Sequence, residues 1–477
     1  MLKNSLIAIA LLLLAACAAT PSHAPGATPQ AERPKGVTLP DFDVVTLANG
    51  MDILLMEKHD VPMISFQAIV RGGAIADPPA KNGTAALLAD LLRKGAGARD
   101  AREFAQAVES AGGVLNTAAG QEALIVSGGF MARDAGLMVE LLGDLLMEPS
   151  LSKTEFDKLQ ERSIQQIKAM KDSNLRSLSA VYGDAFLFGD HPYGRAVIGS
   201  EAGLAKTGYA DIRRYFIEQV GADRTILAVV GDFDTAAMRA RLEKRFGGWR
   251  KAAGKLPVVE PLAPREGRRV LLVDKPDATQ TYFYIGNVGV ARDYENAAAL
   301  ELVNTVFGGQ FTSMLNTKLR VESGLTYGAG SRSKRLTQPG SLAILSYTRT
   351  ETTVEAIDMA LATLESLHAG ALSPEQLAAA KSYVLGQFPP ELETAGDLAG
   401  RLAEIRFYGL GRDDVDEYAA RISAVSLDDA RRVVETVYPR SSDLTFVLIG
   451  NASAIRDQVA KYGPVTEMKI TAPRFRP

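Results

Sequence analysis

Residues 222–232 read ADRTILAVVGD, and residues 442–451 read SDLTFVLIGN. Each is a run of β-branched and apolar residues stopped by Gly and a small polar residue, the pattern of a buried strand that ends in a turn. Two further pairs recur in step with them. SLSKTEF at 150–156 reads like ALSPEQ at 371–376, each setting a Ser cap and an acidic first turn ahead of a long amphipathic helix. NGTAALLADLLRKG at 82–95 reads like NAAALELVNTVFGG at 296–309. The offsets are 220, 221 and 214 residues. The chain therefore reads as two copies of one unit of roughly 200 residues.

Within each copy, strands expected at Asp52–Glu57 and Ile64–Val70, and at Arg269–Val273 and Thr279–Ile285, precede the helices. Strands clustered in this way predict an α+β fold of two tandem homologous domains, each an antiparallel sheet with helices packed to one side. The expected boundaries are 41–254 for the N-terminal domain, 255–268 for a proline-bearing linker and 269–470 for the C-terminal domain.

The chain opens MLKNSLIAIALLLLAAC, and Cys17 is its only cysteine. Lys3 followed by the apolar run Leu6 to Ala16 suits the hydrophobic region of an export signal and is too short to span a bilayer. Leu14-Ala15-Ala16-Cys17 resembles the bacterial lipobox, which implies a signal peptide over 1–17 and acylation of Cys17. A soluble export signal cut nearby is the other reading, with Cys17 discarded. Residues 18–40, rich in Pro, Ala and Thr, suit a flexible tether. Ala18 and Ala19 follow the cysteine in place of an acidic residue, so the expected address is the outer membrane, facing the periplasm. A lone cysteine fits an oxidising compartment, where a spare thiol is a liability. The formal net charge of −3, with no long basic run, argues against a nucleic-acid partner.

The stretch NGMDILLMEKHDVPMISFQAIVRGGAIADPP (49–79), together with HPYGRAVIGS (191–200), VVGDFD (229–234) and FGGQFTSMLNTKLRVESGLTYGAG (307–330), resembles the pitrilysin/insulinase metallopeptidases, the inverzincins. The resemblance covers about residues 41–460, and its motifs follow in family order. It implies paired α+β domains and, in an active member, H-x-x-E-H on a helix. Two imidazoles one helical turn apart then hold Zn²⁺ while the Glu acts as general base, and a Glu on a later helix completes the shell. In this chain the two His positions hold Ala86 and Asp90, and the Glu position holds Ala89. The third-ligand position is expected at Lys168, or at Ile167 if the register slips by one; neither binds zinc. The four histidines, His23, His59, His191 and His368, include no two at metal-ligand spacing, and His191 in HPYG is expected to order a turn. No metal site is expected in this chain.

The second copy departs less from the family. Arg320-Val321-Glu322-Ser323-Gly324-Leu325-Thr326-Tyr327 fits the family segment R-x-x-x-G-L-x-Y. The resemblance implies that Arg320 and Tyr327 bind substrate across a chamber, supplying fixed charge and a hydroxyl that supports a developing oxyanion. Gly308 and Gly309 are expected to permit a turn or a close backbone approach, and Gly324 a sharp turn into a strand bearing Tyr327. Some bacterial relatives pair a zinc-bearing chain with one carrying the Arg/Tyr pair, and this chain resembles the second kind. The expected function is that of a non-metal subunit of a periplasmic zinc-peptidase heterodimer. It would be inactive alone and would complete a zinc-bearing homologue that acts on peptides or unfolded protein. The alternative is a non-catalytic structural or peptide-binding lipoprotein of the same fold.

Overall fold

A computed structural model describes residues 36–477 of the chain; the lipobox, Cys17 and most of the expected tether lie outside the described residues. Six strands of the first half, β1 (Asp43–Thr46), β2 (Asp52–Glu57), β3 (Met63–Arg71), β4 (Val114–Ala119), β5 (Ala123–Met131) and β6 (Thr225–Gly231), form one sheet in the order β1-β2-β6-β3-β5-β4. Those of the second half are β7 (Arg269–Asp274), β8 (Gln280–Val288), β9 (Ala329–Lys334), β10 (Ser341–Arg349), β11 (Thr445–Gly450) and β12 (Val465–Lys469). They lie in the order β9-β10-β8-β11-β7-β12. Replacing β2 to β6 by β7 to β11 converts one order into the other, which is the duplication seen as topology. The copies part only at one edge. There β1 runs antiparallel to β2, whereas β12, from the far end of the second half, runs parallel to β7.

The α+β architecture of two similar halves is the expected one, and two details differ. The sheets are mixed. Strand β6 lies parallel to β2, and β11 parallel to β7, because each returns to its sheet after a long helical excursion that frees it from hairpin geometry. The second difference concerns the sheet faces. Both β6 and β11 are buried at every residue. Their runs TILAVVG and TFVLIG do not alternate, so both faces carry apolar side chains and both must be covered.

Each half covers one face of its own sheet and one face of the other half's. Helices α1 (Thr84–Leu92) and α2 (Lys153–Ser173) belong to the first half's own layer. The next helix, α3 (Leu175–Phe188), leaves that layer and lies on strands β8 and β11 of the second sheet. Its Leu178, Tyr182 and Ala185 repeat at helical spacing and share a core with Leu271, Tyr284, Val447 and Ile449. Gly183 faces the Tyr284 ring so closely that a Cβ there would collide with it. In the second half, α4 (Ala297–Asn304) packs in its own layer. Helix α5 (Ala395–Tyr408) crosses back to β3 and β6. Leu398, Ala399, Leu402 and Ala403 of α5 meet Leu54, Ile69, Ala228 and Val230 there. The halves are thus joined by two reciprocal helix–sheet contacts as well as by residues 255–268, which carry no regular secondary structure.

Candidate functional site

Helix α1 begins after Gly83, whose φ of 101° is left-handed. The buried Asp77 carboxylate accepts hydrogen bonds from the backbone N–H groups of Gly83 (2.6 Å) and Ala85 (2.8 Å), which fixes the loop onto the helix start. Ala86 and Asp90 are half-buried and Ala89 is buried. The Ala89 carbonyl accepts from Thr117 Oγ1 at 2.5 Å, and Arg93 Nε donates to the same hydroxyl at 3.1 Å. The Arg93 guanidinium lies 3.9 Å from the Asp90 carboxylate. A fixed guanidinium beside a single carboxylate and two methyl groups offers a divalent cation one oxygen ligand and a repelling charge. These residues do not fit zinc, which takes three or four N, O or S donors. Among the described residues no group of three or more His, Cys, Asp and Glu could hold a metal.

Of the two residues expected at the third-ligand position, burial favours Ile167. Lys168 is exposed, whereas Ile167 is 2% exposed and shares the core with Leu88 and Ala89. The stripe Phe156, Leu159, Ile167 marks the buried face of α2. That periodicity was available in the sequence and selects Ile167. The inward residue is a branched alkyl group, and no lysine ammonium stands at the metal position.

His59 and His191 lie apart and each has local partners. His59 Nδ1 is 2.7 Å from Asp232 and its Nε2 is 3.1 Å from Glu57. Hydrogen bonding to Asp232 and then to Glu57 raises its pKa above the ordinary histidine value. His191 Nδ1 accepts from the Tyr193 N–H and its Nε2 is 2.8 Å from the Glu260 carbonyl, so it orders the turn at Pro192–Gly194.

The Arg320–Tyr327 segment has an unusual backbone. Residues Thr305–Gly309 and Thr317–Glu322 form two π-helical turns, a geometry that recurs at functional sites. Gly308 abuts the backbone of Ser331, where any Cβ would collide. Gly309 ends the first π-turn beside Asn304. Gly324 is left-handed, with φ 64° and open space around it. The reversal at Gly324 is held by the Leu319 carbonyl, which accepts from Leu325 (2.9 Å) and Thr326 (3.2 Å). Tyr327 follows in a loop, two residues before β9 begins, so it is not a strand residue as expected.

Arg320 is half-buried, its guanidinium 4.7 Å from the centroid of the Phe311 ring. Tyr327 is 80% exposed and Phe311 61%. A cation held by an aromatic face keeps its outward N–H groups for an external acceptor. The arrangement can bind carbonyl or carboxylate oxygens and present a phenol beside them.

Residues 53–199 match the family described as Insulinase (Peptidase family M16), and residues 207–384 match Peptidase M16 inactive domain. The chain is 25% identical over 87% of its length to an uncharacterized zinc protease of Streptomyces coelicolor, covering 92% of that relative. It is 22% identical over 84% of its length to a non-peptidase homologue of Helicobacter pylori, covering 91% of it. Among solved structures, a peptidase M16 inactive domain from Pseudomonas fluorescens superposes with a TM-score of 0.80 at 20% identity. The superposition covers 86% of this chain and 98% of that one.

Proposed function

This chain belongs to the M16 peptidase family, and from that premise we propose that it is a non-metal subunit of a periplasmic zinc-peptidase heterodimer. In this reading Arg320 and Tyr327 reach into a chamber shared with a zinc-bearing homologue, bind the substrate backbone and stabilise charge on the scissile carbonyl oxygen. An acylated Cys17 holds the chain to the outer membrane through the tether. One contrast supports the reading: the α1 site offers a metal a single carboxylate and no group of three donors occurs among the described residues, while both Arg320 and Tyr327 are present and Tyr327 is exposed. Substrates would be peptides or unfolded segments, taken largely through backbone hydrogen bonds with broad sequence tolerance.

Co-purification from the native host tests this. A zinc-bearing homologue is expected to accompany the chain, with the metal confined to that partner. Arg320→Ala combined with Tyr327→Phe in the reconstituted pair is expected to lower kcat/KM by about 10²–10³-fold, as loss of oxyanion donors does. Recovery of the free chain alone, stoichiometric zinc in the chain itself, or proteolysis that survives the double substitution would each overturn the proposal.

A further inference from the structure

Beside Gly328, the residue after Tyr327, stands an arginine from the other half of the chain. Arg176 lies in the first turn of α3, the helix that crosses to the second sheet. Its guanidinium carbon sits 5.4 Å from the centroid of the Tyr347 ring, which stacks in turn on Tyr282 at 5.3 Å. Tyr347 is tied to the Tyr327 loop through its neighbours. Ser346 Oγ donates to the Gly328 carbonyl (3.0 Å), and Thr348 Oγ1 to that of Leu325 (2.7 Å). A Cβ built on Gly328 would lie in ordinary van der Waals contact, 3.8 Å from Arg176 Nη2, so the guanidinium lies against the backbone of the Tyr327 loop.

Arg176 is exposed, and among the described residues neither it nor the half-buried Arg320 has a carboxylate within ion-pair distance. The carboxylates near this surface are already engaged. Glu322 pairs with Lys318, and Asp172 and Asp277 with Lys275. Beyond Ser177, the residue after Arg176, a cleft of about 210 Å³ opens toward Arg332 on the edge strand β9. Its one carboxylate, Asp184, is taken by Lys334 at 2.9 Å. Guanidiniums on aromatic plates, without carboxylate partners among the described residues, make a receptor for a planar anion that two guanidinium N–H groups can grip.

We infer that Arg176, with Tyr347 as its platform, is a further substrate-binding residue of the Arg320–Tyr327 surface, and that this surface prefers peptides bearing a carboxylate. The inference rests on the reading that this surface receives substrate. The carboxylate is the peptide's C-terminus or an acidic side chain, and the test separates the two sources.

Fluorescence polarisation on the purified chain without any partner would use three labelled peptides of one basic-free sequence. One has a free C-terminus, one is amidated, and one is amidated with an internal Glu. The carboxylate-bearing peptides are expected to bind about tenfold tighter than the plain amide, the increment of a charge-assisted hydrogen bond. Whichever of the two shows the gain names the source. Arg176→Ala is expected to abolish the gain while leaving the melting curve unchanged, and Arg176→Lys to restore part of it. Equal binding of all three peptides, no binding at all, or a preference that survives Arg176→Ala overturns the inference. Because no partner is present, failure to find a zinc-bearing subunit would leave a positive result standing. Partner-dependent proteolysis without a carboxylate preference would sink this inference alone.

Discussion

Replacing Lys171 by Met is expected to lower folding stability by about 3–5 kcal/mol, the loss that follows when one member of a buried ion pair is removed. Lys171 lies on the buried stripe of α2 and is 5% exposed. Its Nζ donates to both carboxylate oxygens of Glu201 at 2.7 Å and to the Ala472 carbonyl at 2.6 Å. Phe475 caps the site, 5.0 Å from Nζ and edge-on to Tyr182 at 4.9 Å. The Pro473 carbonyl accepts from the Ala202 N–H at 2.9 Å. The last residues of the second half are thereby fastened to the first half. With the ammonium gone, the Glu201 carboxylate is stranded in an apolar site and the Ala472 carbonyl loses its donor. Adding Glu201→Leu should recover most of the loss, since replacing both charges by packed apolar groups is often near neutral. Urea unfolding of the wild type, the single and the double variant measures this. A single variant as stable as the wild type would mean that Glu201 finds water or another cation there.

The second large effect is a pH dependence at Asp77. Complete burial raises this carboxyl, against the pull of the Ala85 and Gly83 N–H groups and Arg195, from its ordinary value of 3.8 to about 7. The folded pKa lies above the unfolded one, so in that window the folded state binds the proton more firmly. Stability contributed by Asp77 is then greatest at acid pH and falls as pH rises from about 4 through 7. The swing is on the order of 4 kcal/mol for a shift of this size. Asp77→Asn cannot titrate. Its amide NH₂ also faces a backbone N–H that now lacks an acceptor, at a cost of about 1–3 kcal/mol. The stability gap between wild type and Asp77→Asn should therefore be wider at pH 5 than at pH 8. A gap that is flat across that range would show that Asp77 is ionised throughout, held by its two N–H donors.

Much of the fold was legible in the sequence because it is written in local pattern. The strand runs at 225–231 and 445–450, the Ser caps at 152 and 373, and their matched offsets encode the duplication without reference to any contact. The absence of imidazoles from α1 is equally local, since metal binding depends on side-chain identity at fixed helical spacing. Motif matching left Lys168 and Ile167 open at the third-ligand position, and the apolar stripe of α2 that contains Ile167 favours the latter. Tyr327 was expected in a strand because a β-prone aromatic follows a glycine turn, yet β9 starts only after the loop has closed on Leu319.

The sequence by itself determined that there are two α+β units, each with an apolar strand that ends in a turn, and that the first unit lacks a zinc ligand set. Only the tertiary structure decided which helices cover the second faces, that Arg176 of one half meets the Tyr327 loop of the other, and that Lys171 receives the chain's final residues. The physical reason is range. Periodicity and side-chain chemistry act over a few residues and can demand that a surface be covered or a charge be paired. The partner that meets the demand lies well outside that range, 30 residues on for Glu201 and 301 for Ala472 in the case of Lys171, and is selected by packing, which no local pattern specifies.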